Sequence, residues 1–564
     1  MQGPSGFFIQ FVRLAGPYWH SENKAKIRGL TLALIILTLL QISLAVATNK
    51  WSAALFDALE QRSMSGLFMQ IGLLTLILAG SILVTSTHLK VKRRLQIDWR
   101  NWLTERVTDQ WMNSGRHYQV THIQTPGHDN PDSRIAEDIR IATEEAIALS
   151  HSLFYSLMLL ISFTTILWTL SGTVILNLWL VSIPVKGHLV WIAIIYAAGA
   201  SFLGWWVSRP LIKATDARQT VEANFRFGLV KVRENSQAIA LIRGEAIEQR
   251  RFHTLFHTIV DTFDRQTHAW AHILMFTSGY SVLSMAFPIL ISAPRYILGT
   301  ITLGALMQSA QAFQHMASAL SWPVDNMAGI AQWRASVERV LSLVHALEDL
   351  ELEIETPSTD RISLEKSDQS VLAFHDLCVA RHDGLVCARD INAEIRPGER
   401  VLITGNTFNG FKLFKAIAGL WPWGHGRIEL PDDEPMFFMP PLPYLPDGTL
   451  LDAICYPSSP ETFSRDAIEE ALKLAGLAEL IEQLEHTDNW EKVLSREEEQ
   501  RLGFVRLLLY RPKWILLQEA FDSLDPAGEE MMLRLICKQL PDAAILTVTN
   551  QPTADAFHER RITL

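Results

Sequence analysis

Cysteine is scarce. The chain of 564 residues has four (Cys378, Cys387, Cys455 and Cys537), and none of them precedes position 378. Four are too few for a disulfide scaffold, and their clustering suits a C-terminal domain kept in a reducing cytosol. A basic excess is also missing. Fifty Lys and Arg stand against 60 Asp and Glu, giving a net charge of −10. That excludes the basic face of a nucleic-acid binder. Charged residues make up only 20% of the chain and hydrophobic ones 48%, with a mean hydropathy of +0.13. Disorder, a collagen-like rod and a coiled-coil rod are thereby excluded.

What is present divides in two. Up to about Trp322 the sequence carries long apolar runs, and beyond about Glu348 it reads as an α/β domain. A helix needs about 20 residues to cross the hydrocarbon. Six runs meet that length: Gly29–Thr48, Gly66–Thr85, about Ala148–Val174, Gly187–Val207, about His272–Ser292, and a sixth from near Gly299. The sixth is the least apolar. Gln308, Gln311, His315 and Ser318 recur in it at helical spacing and form one wet face. Such a face lines a water-filled path or bonds neighbouring helices, and both readings stand for Gln308, Gln311 and His315.

Basic residues set the orientation. The N-terminus and the segments at about 86–147 and 208–271 hold most of the Lys and Arg. The other side has only Lys50, Arg62, Lys186 and Arg295. The positive-inside rule then places the N-terminus and both long segments in the cytoplasm. No cleavable signal is expected ahead of the first run; residues 6–20 read as an amphipathic interfacial segment. The long segments keep helical periodicity, so continuous helices are expected to extend the spans well beyond the membrane.

Residues 1–345 are read as a transmembrane domain, 346–371 as an acidic linker, and 372–564 as an α/β domain. In the last, RVLITG (400–405) is a buried strand running into a glycine, followed by a helical LFKAIAGLW (413–421). A strand, a tight loop and a helix form the setting of a phosphate-binding loop. WILLQEA (514–520) and AAILTVTN (543–550) add buried strands, which together indicate a mostly parallel sheet.

The stretches WRNWLTE (99–105), NPDSRIAEDIR (130–140), GALMQSAQAF (304–313), RPGERVLITG (396–405), AIAGLWPWG (416–424) and PYLPDGTL (443–450) resemble the SbmA/BacA-like ABC transporters. Within that group the chain is similar to the YddA-type permease/ATPase fusions, and more distantly to the peroxisomal subfamily D transporters. The resemblance implies a multi-domain membrane protein with an all-α six-span exporter-type transmembrane domain, followed by an α/β ABC-type nucleotide-binding domain. It implies a half-transporter in the bacterial inner membrane that pairs with a second copy or a related half. It further implies ATP and Mg²⁺ as cofactors, and peptides, peptide antibiotics or cobalamin as solutes.

Set against the family's motifs, the chain departs at most of the chemical positions. The phosphate loop should read G-x-x-x-x-G-K-[ST]. Here Gly405 and Gly410 keep their spacing, Thr407 lies between them, Phe408 replaces the middle glycine, and Phe411 stands at the lysine position. Lys412 is one step further on, about 100° around a helix. No Ser or Thr remains for Mg²⁺. The family's glutamine falls on Pro441. Its LSxGExQR reads Leu494-Ser495-Arg496-Glu497-Glu498-Glu499-Gln500-Arg501, which puts Glu497 at a glycine position. The metal-holding aspartate is Gln518 and the switch histidine is Asn550. Glu519, the carboxylate that would polarise water, is retained.

Phosphoryl transfer depends on positioning and charge neutralisation, and such parts are each worth roughly 3–7 kcal/mol. The expectation is an ATPase by fold that binds ATP poorly and hydrolyses negligible amounts. A proton gradient is the alternative drive, with Glu222 and Asp325 as candidate carriers among the acidic groups near span ends. Two other readings stay open: an inactive half that pairs with a catalytic half, and a non-transporting membrane scaffold or regulator.

Overall fold

The computed structural model describes residues 4–122, 130–178, 181–355, 361–367, 370–381, 385–405, 407–431, 436–549 and 552–564. The chain forms two compact units. One comprises Met1–Thr108 and Asn130–Leu343; the other comprises Asp109–Asp129 and Val344–Leu564.

The first unit is helical. Its elements are α1 (Pro4–Ala15), α2 (Lys24–Glu60), α3 (Met64–Met112), then, after the short α4 (Arg116–His122) of the other unit, α5 (Pro131–Ser133) and α6 (Ile139–Ser171). They are followed by α7 (His188–Glu234), α8 (Ser236–Leu241), α9 (Glu245–Ile297), α10 (Leu303–Asp325) and α11 (Met327–Glu355). Among the described residues five helical runs are long and apolar enough to cross a membrane. The sixth expected span, α10, has 23 residues, enough length but too many polar groups to count by composition. With 53 residues, α9 extends about 80 Å, well beyond a hydrocarbon core of about 30 Å.

Local chemistry fixes the ends of these helices. The third apolar run was expected to reach Val174, but α6 stops at Ser171. Gly172 takes φ +61°, and the Arg295 guanidinium donates to the carbonyls of Leu170 (3.0 Å) and Ser171 (2.8 Å), a cation at a helix C-terminus. An antiparallel hairpin of β1 (Thr173–Leu178) and β2 (Val181–Lys186) follows. At the start of α10, the Asp57 carboxylate accepts from the Gly304 amide at 2.9 Å. A Cβ at Gly304 would lie 2.2 Å from the Ala53 carbonyl, so only glycine allows α10 to approach α2 this closely.

The second unit holds two sheets. Strands β3 (Ser363–Ser367), β4 (Leu372–Ala380), β5 (Val386–Ile395), β6 (Arg400–Thr404), β7 (Gly424–Pro431) and β8 (Met436–Met439) alternate with helix α12 (Thr407–Ile417). Next come β9 (Gly448–Thr449), α13 (Leu450–Cys455), α14 (Arg465–Leu474), β10 (Thr487–Asp488), α15 (Trp490–Val493), α16 (Arg496–Tyr510), β11 (Trp514–Gln518), α17 (Pro526–Gln539), β12 (Ala544–Val548) and β13 (Arg560–Thr563). A five-stranded parallel sheet has the order β13-β6-β12-β11-β8, and a four-stranded sheet has the order β3-β7-β4-β5.

Alternation along the strands divides the core. Trp514, Leu516, Leu546 and Val548 face α12 and the four-stranded sheet, whereas Ile515, Leu517 and Ile545 face Phe504, Met532 and Ile536 of α16 and α17. A helical subdomain gathers around Leu450, Ile454, Leu472 and Trp490. Residues 109–122 pack within this unit: the Gln119 amide donates to the Gly419 carbonyl at 3.2 Å, and Arg116 pairs with Glu351 at 2.6 Å.

Candidate functional site

The nucleotide region of the second unit begins where β6 ends. A tight loop was expected between Gly405 and the helix. Instead the helix begins at Thr407, so the stretch that would wrap an anion has become the first turns of α12. Both glycines have structural work. Gly405 takes φ +108°, and a Cβ there would sit 2.4 Å from the Leu564 carbonyl. The Leu564 amide in turn donates to the Thr404 carbonyl at 3.0 Å. A Cβ at Gly410 would lie 2.8 Å from Val548, so this glycine lets α12 lie on β12.

Lys412 turns inward. It is 4% exposed, donates from Nζ to Cys387 Sγ at 2.8 Å, and lies 5.6 Å from the centre of the Trp421 ring. Asn409 Nδ2 binds the Cys387 carbonyl at 2.6 Å, locking the same face of α12 to β5.

The remaining positions are also engaged. The Pro441 carbonyl accepts from Gln500 Nε2 at 3.0 Å, and Gln500 Oε1 accepts from the Ser523 amide at 3.0 Å. Ser495 caps α16: its hydroxyl accepts from the Glu498 amide, while Glu498 Oε2 accepts from the Ser495 amide at 2.7 Å, a capping box. Glu497 pairs with Arg501 at 2.7 Å. With Glu497, Glu498 and Glu499 in its first turn, the N-terminus of α16 already carries its own anions. Burial raises the Glu499 carboxyl above its usual range.

Gln518 ends β11 opposite Val548. Glu519 follows with φ +44°, its amide donating to the Val548 carbonyl at 2.9 Å. Burial and then the nearby Asp522 raise the Glu519 carboxyl, and burial raises Asp522. Asn550 and the side chain of Thr407 lie outside the described residues.

This donor set does not fit a magnesium triphosphate in the way a phosphate loop holds one. The lysine is buried against Cys387, and a helix starts at Thr407 where the loop amides would wrap the phosphates.

In the membrane unit, Gln311 is held between helices. Its Nε2 donates to Ser52 Oγ at 2.9 Å and its Oε1 accepts from Asn49 at 3.4 Å. Gln308 enters the same cluster through its carbonyl, which accepts from Asn49 at 3.2 Å. The His315 ring lies 4.4 Å from Phe163, centre to centre. Glu222 pairs with Arg218 at 2.7 Å, and Arg218 also binds Gln266. Asp325 is the last residue of α10. Glu222 thus belongs to an ion pair on α7, apart from the α10 cluster.

Within NPDSRIAEDIR, Asp138 is buried and accepts from Arg339 at 2.8 Å, which ties α11 to the turn before α6. Sequence reasoning missed one polar pair: His88 of α3 and His151 of α6, with Nε2 atoms 2.7 Å apart. His88 falls between the second apolar run and the basic residues Lys90–Arg94, His151 lies near the start of the third run 63 positions on, and no spacing signal joins them.

Comparison with known proteins agrees with this architecture. The family described as ABC transporter transmembrane region 2 matches residues 14–297. The Escherichia coli K12 inner membrane ABC transporter ATP-binding protein YddA is 28% identical, over 96% of this chain and 95% of its own. The human lysosomal cobalamin transporter ABCD4 is 25% identical, over 98% and 93%. A bacterial Atm1-family ABC exporter with ATP bound superposes with a TM-score of 0.69 at 16% identity, covering 96% and 94% of the two chains. The fold is therefore that of an ABC exporter, and the chain belongs to the ABC transporter transmembrane region 2 family.

Proposed function

We propose that this chain is a half-transporter of the SbmA/BacA-like kind. Acting as a homodimer in the bacterial inner membrane, it moves peptides, peptide antibiotics or cobalamin-like solutes. Residues 1–345 form the permease, 346–371 the linker, which carries the end of α11 and adds β3 to the four-stranded sheet, and 372–564 the cassette, with the N-terminus and cassette in the cytoplasm. The cassette serves dimerisation and coupling, and a proton gradient supplies the drive in place of ATP hydrolysis.

The observation that carries this reading is the burial of Lys412 against Cys387, on a helix that starts where a phosphate loop should be. Losing the lysine contact and the loop amides together removes several charge-assisted bonds to a triphosphate, each worth about 1.5–3 kcal/mol. The human relative, a lysosomal cobalamin transporter, supports the solute class. A catalytic partner half would not repair the cassette pair. In a head-to-tail dimer each composite site joins one chain's phosphate loop to the other's signature segment, and this chain has altered both.

The test is uptake of labelled peptide and labelled cobalamin into liposomes holding the purified protein. Uptake of either that persists without ATP and collapses with a protonophore supports the reading. Uptake of both that requires ATP, or no protein-dependent uptake of either, refutes it.

A further inference from the structure

The geometry points to His88 and His151 as a one-proton relay site in the membrane unit. The two Nε2 atoms lie 2.7 Å apart, and the ring centres are 4.4 Å apart at 46°. His88 is buried at 7% exposure. Two imidazole nitrogens at that distance share one proton: one ring donates Nε2–H and the other accepts through its Nε2 lone pair. Both rings line a cleft of about 360 Å³ with Gln41, Thr48, Ser81 and Thr85. The pair stands at the cytoplasmic end of the bundle, His88 three residues past the Gly66–Thr85 run and His151 near the start of the next, and ionisable side chains that face a spanning bundle's interior mark proton or solute paths.

The proton count follows from the bond. In the neutral pair the donor ring keeps a free Nδ1 lone pair, and the acceptor ring carries Nδ1–H. An incoming proton adds to the donor ring's Nδ1. The shared proton then crosses to the acceptor's Nε2, and the acceptor releases its own Nδ1 proton. One proton enters, one leaves and no charge accumulates; the two tautomers are exchanged and must reset before the next transfer. A second simultaneous proton would leave N–H facing N–H and break the bond, separating α3 from α6 at this level.

The charged surroundings are sparse. Lys92, one turn beyond His88 on α3, is the cation that acts on both rings, and Lys92 itself feels its neighbour Arg93 and Glu145 of α6. Tyr155, one turn beyond His151, stacks at 6.5 Å. The α2 wall contributes Gln41, Leu44, Ala45 and Thr48. On the far side of His151, α1 presents Phe11, Val12 and Ala15. Neither helix adds a titratable group. Where α10 packs on α6, Trp322 Nε1 donates to Ser152 Oγ and the Ser156 hydroxyl to the Ala319 carbonyl, each at 3.0 Å; the titratable group α10 brings to α6 is His315, against Phe163 and about three turns from His151.

This deepens the proton-drive reading and rests on it for its purpose, but its test does not use transport. The full chain, labelled with ¹⁵N-histidine, is placed in liposomes of neutral lipid and studied by solid-state NMR from pH 8 to pH 4.5. The expected result is one pair of Nε2 signals coupled to each other through a shared proton, with both signals changing together as the pair gains a single proton. The coupling should vanish in both His88→Asn and His151→Asn. Because the wild-type spectra alone show the coupling and the proton count, poor folding of a variant does not disable the test. Absence of any N–H···N coupling, or two rings titrating independently to two protons, overturns the inference. A coupled one-proton pair in a protein whose uptake ignores the proton gradient would sink the drive and leave the site standing.

Discussion

Replacing Lys412 with Met separates a phosphate-binding lysine from a core lysine. A lysine on the β/γ-phosphates contributes a charge-assisted bond of about 1.5–3 kcal/mol, so its loss costs roughly ten- to hundredfold in nucleotide affinity. In this chain Nζ is bonded to Cys387 Sγ at 2.8 Å and the residue is 4% exposed, so nucleotide affinity has nothing to lose. Stability should fall by about 1–3 kcal/mol, because the substitution removes the Nζ bond to Cys387 and the contact with the Trp421 ring. The assay is thermal unfolding of the purified chain with and without millimolar MgATP. A ligand at a hundredfold excess over its Kd adds about 2.7 kcal/mol, a shift of a few degrees. Neither wild type nor Lys412→Met should show such a shift, whatever the difference between their own melting temperatures. A nucleotide-dependent rise in wild type that Lys412→Met abolishes would refute the reasoning.

Three further outcomes follow from the same region. Gly405→Ala puts a Cβ 2.4 Å from the Leu564 carbonyl at φ +108° and should cost about 1–3 kcal/mol, read as a lowered midpoint in denaturant. Gln500→Leu orphans the Pro441 carbonyl and the Ser523 amide and should cost about 1–3 kcal/mol for each group left without water, read in the same way. Glu519→Gln should show a pH-dependent gain. The folded carboxyl is raised above its ordinary value of 4.5, so the wild type loses stability as pH rises from that value through the folded pKa. The variant should therefore gain at pH 7.5 relative to its own difference from wild type at pH 4, and equal differences at both would contradict the assignment.

Much of the membrane unit was legible because a spanning helix satisfies its own backbone. The runs at Gly29–Thr48 and Gly66–Thr85 therefore announce α2 and α3 without reference to partners. The end of α6 was less legible. Apolarity continues through Val174, and what stops the helix is Arg295, more than a hundred residues away, together with the backbone of Gly172. In the cassette, the strands around Val401, Leu516 and Leu546 read directly from their apolar runs. The start of α12 did not. The glycines at 405 and 410 keep a loop-like spacing, yet close packing on Leu564 and Val548 explains both of them. Gln311 shows the same limit: a helical stripe marks a polar face, and only tertiary packing against Asn49 and Ser52 says what it bonds. The His88–His151 contact rests entirely on how α3 and α6 meet, which no local pattern encodes.

The central claim, a cassette that keeps its shape without a grip on magnesium triphosphate, is tested most directly by steady-state ATP hydrolysis in liposomes, compared with Glu519→Gln and with empty vesicles. The account predicts phosphate release equal in all three. Turnover of about one per second or faster that disappears in Glu519→Gln would contradict it.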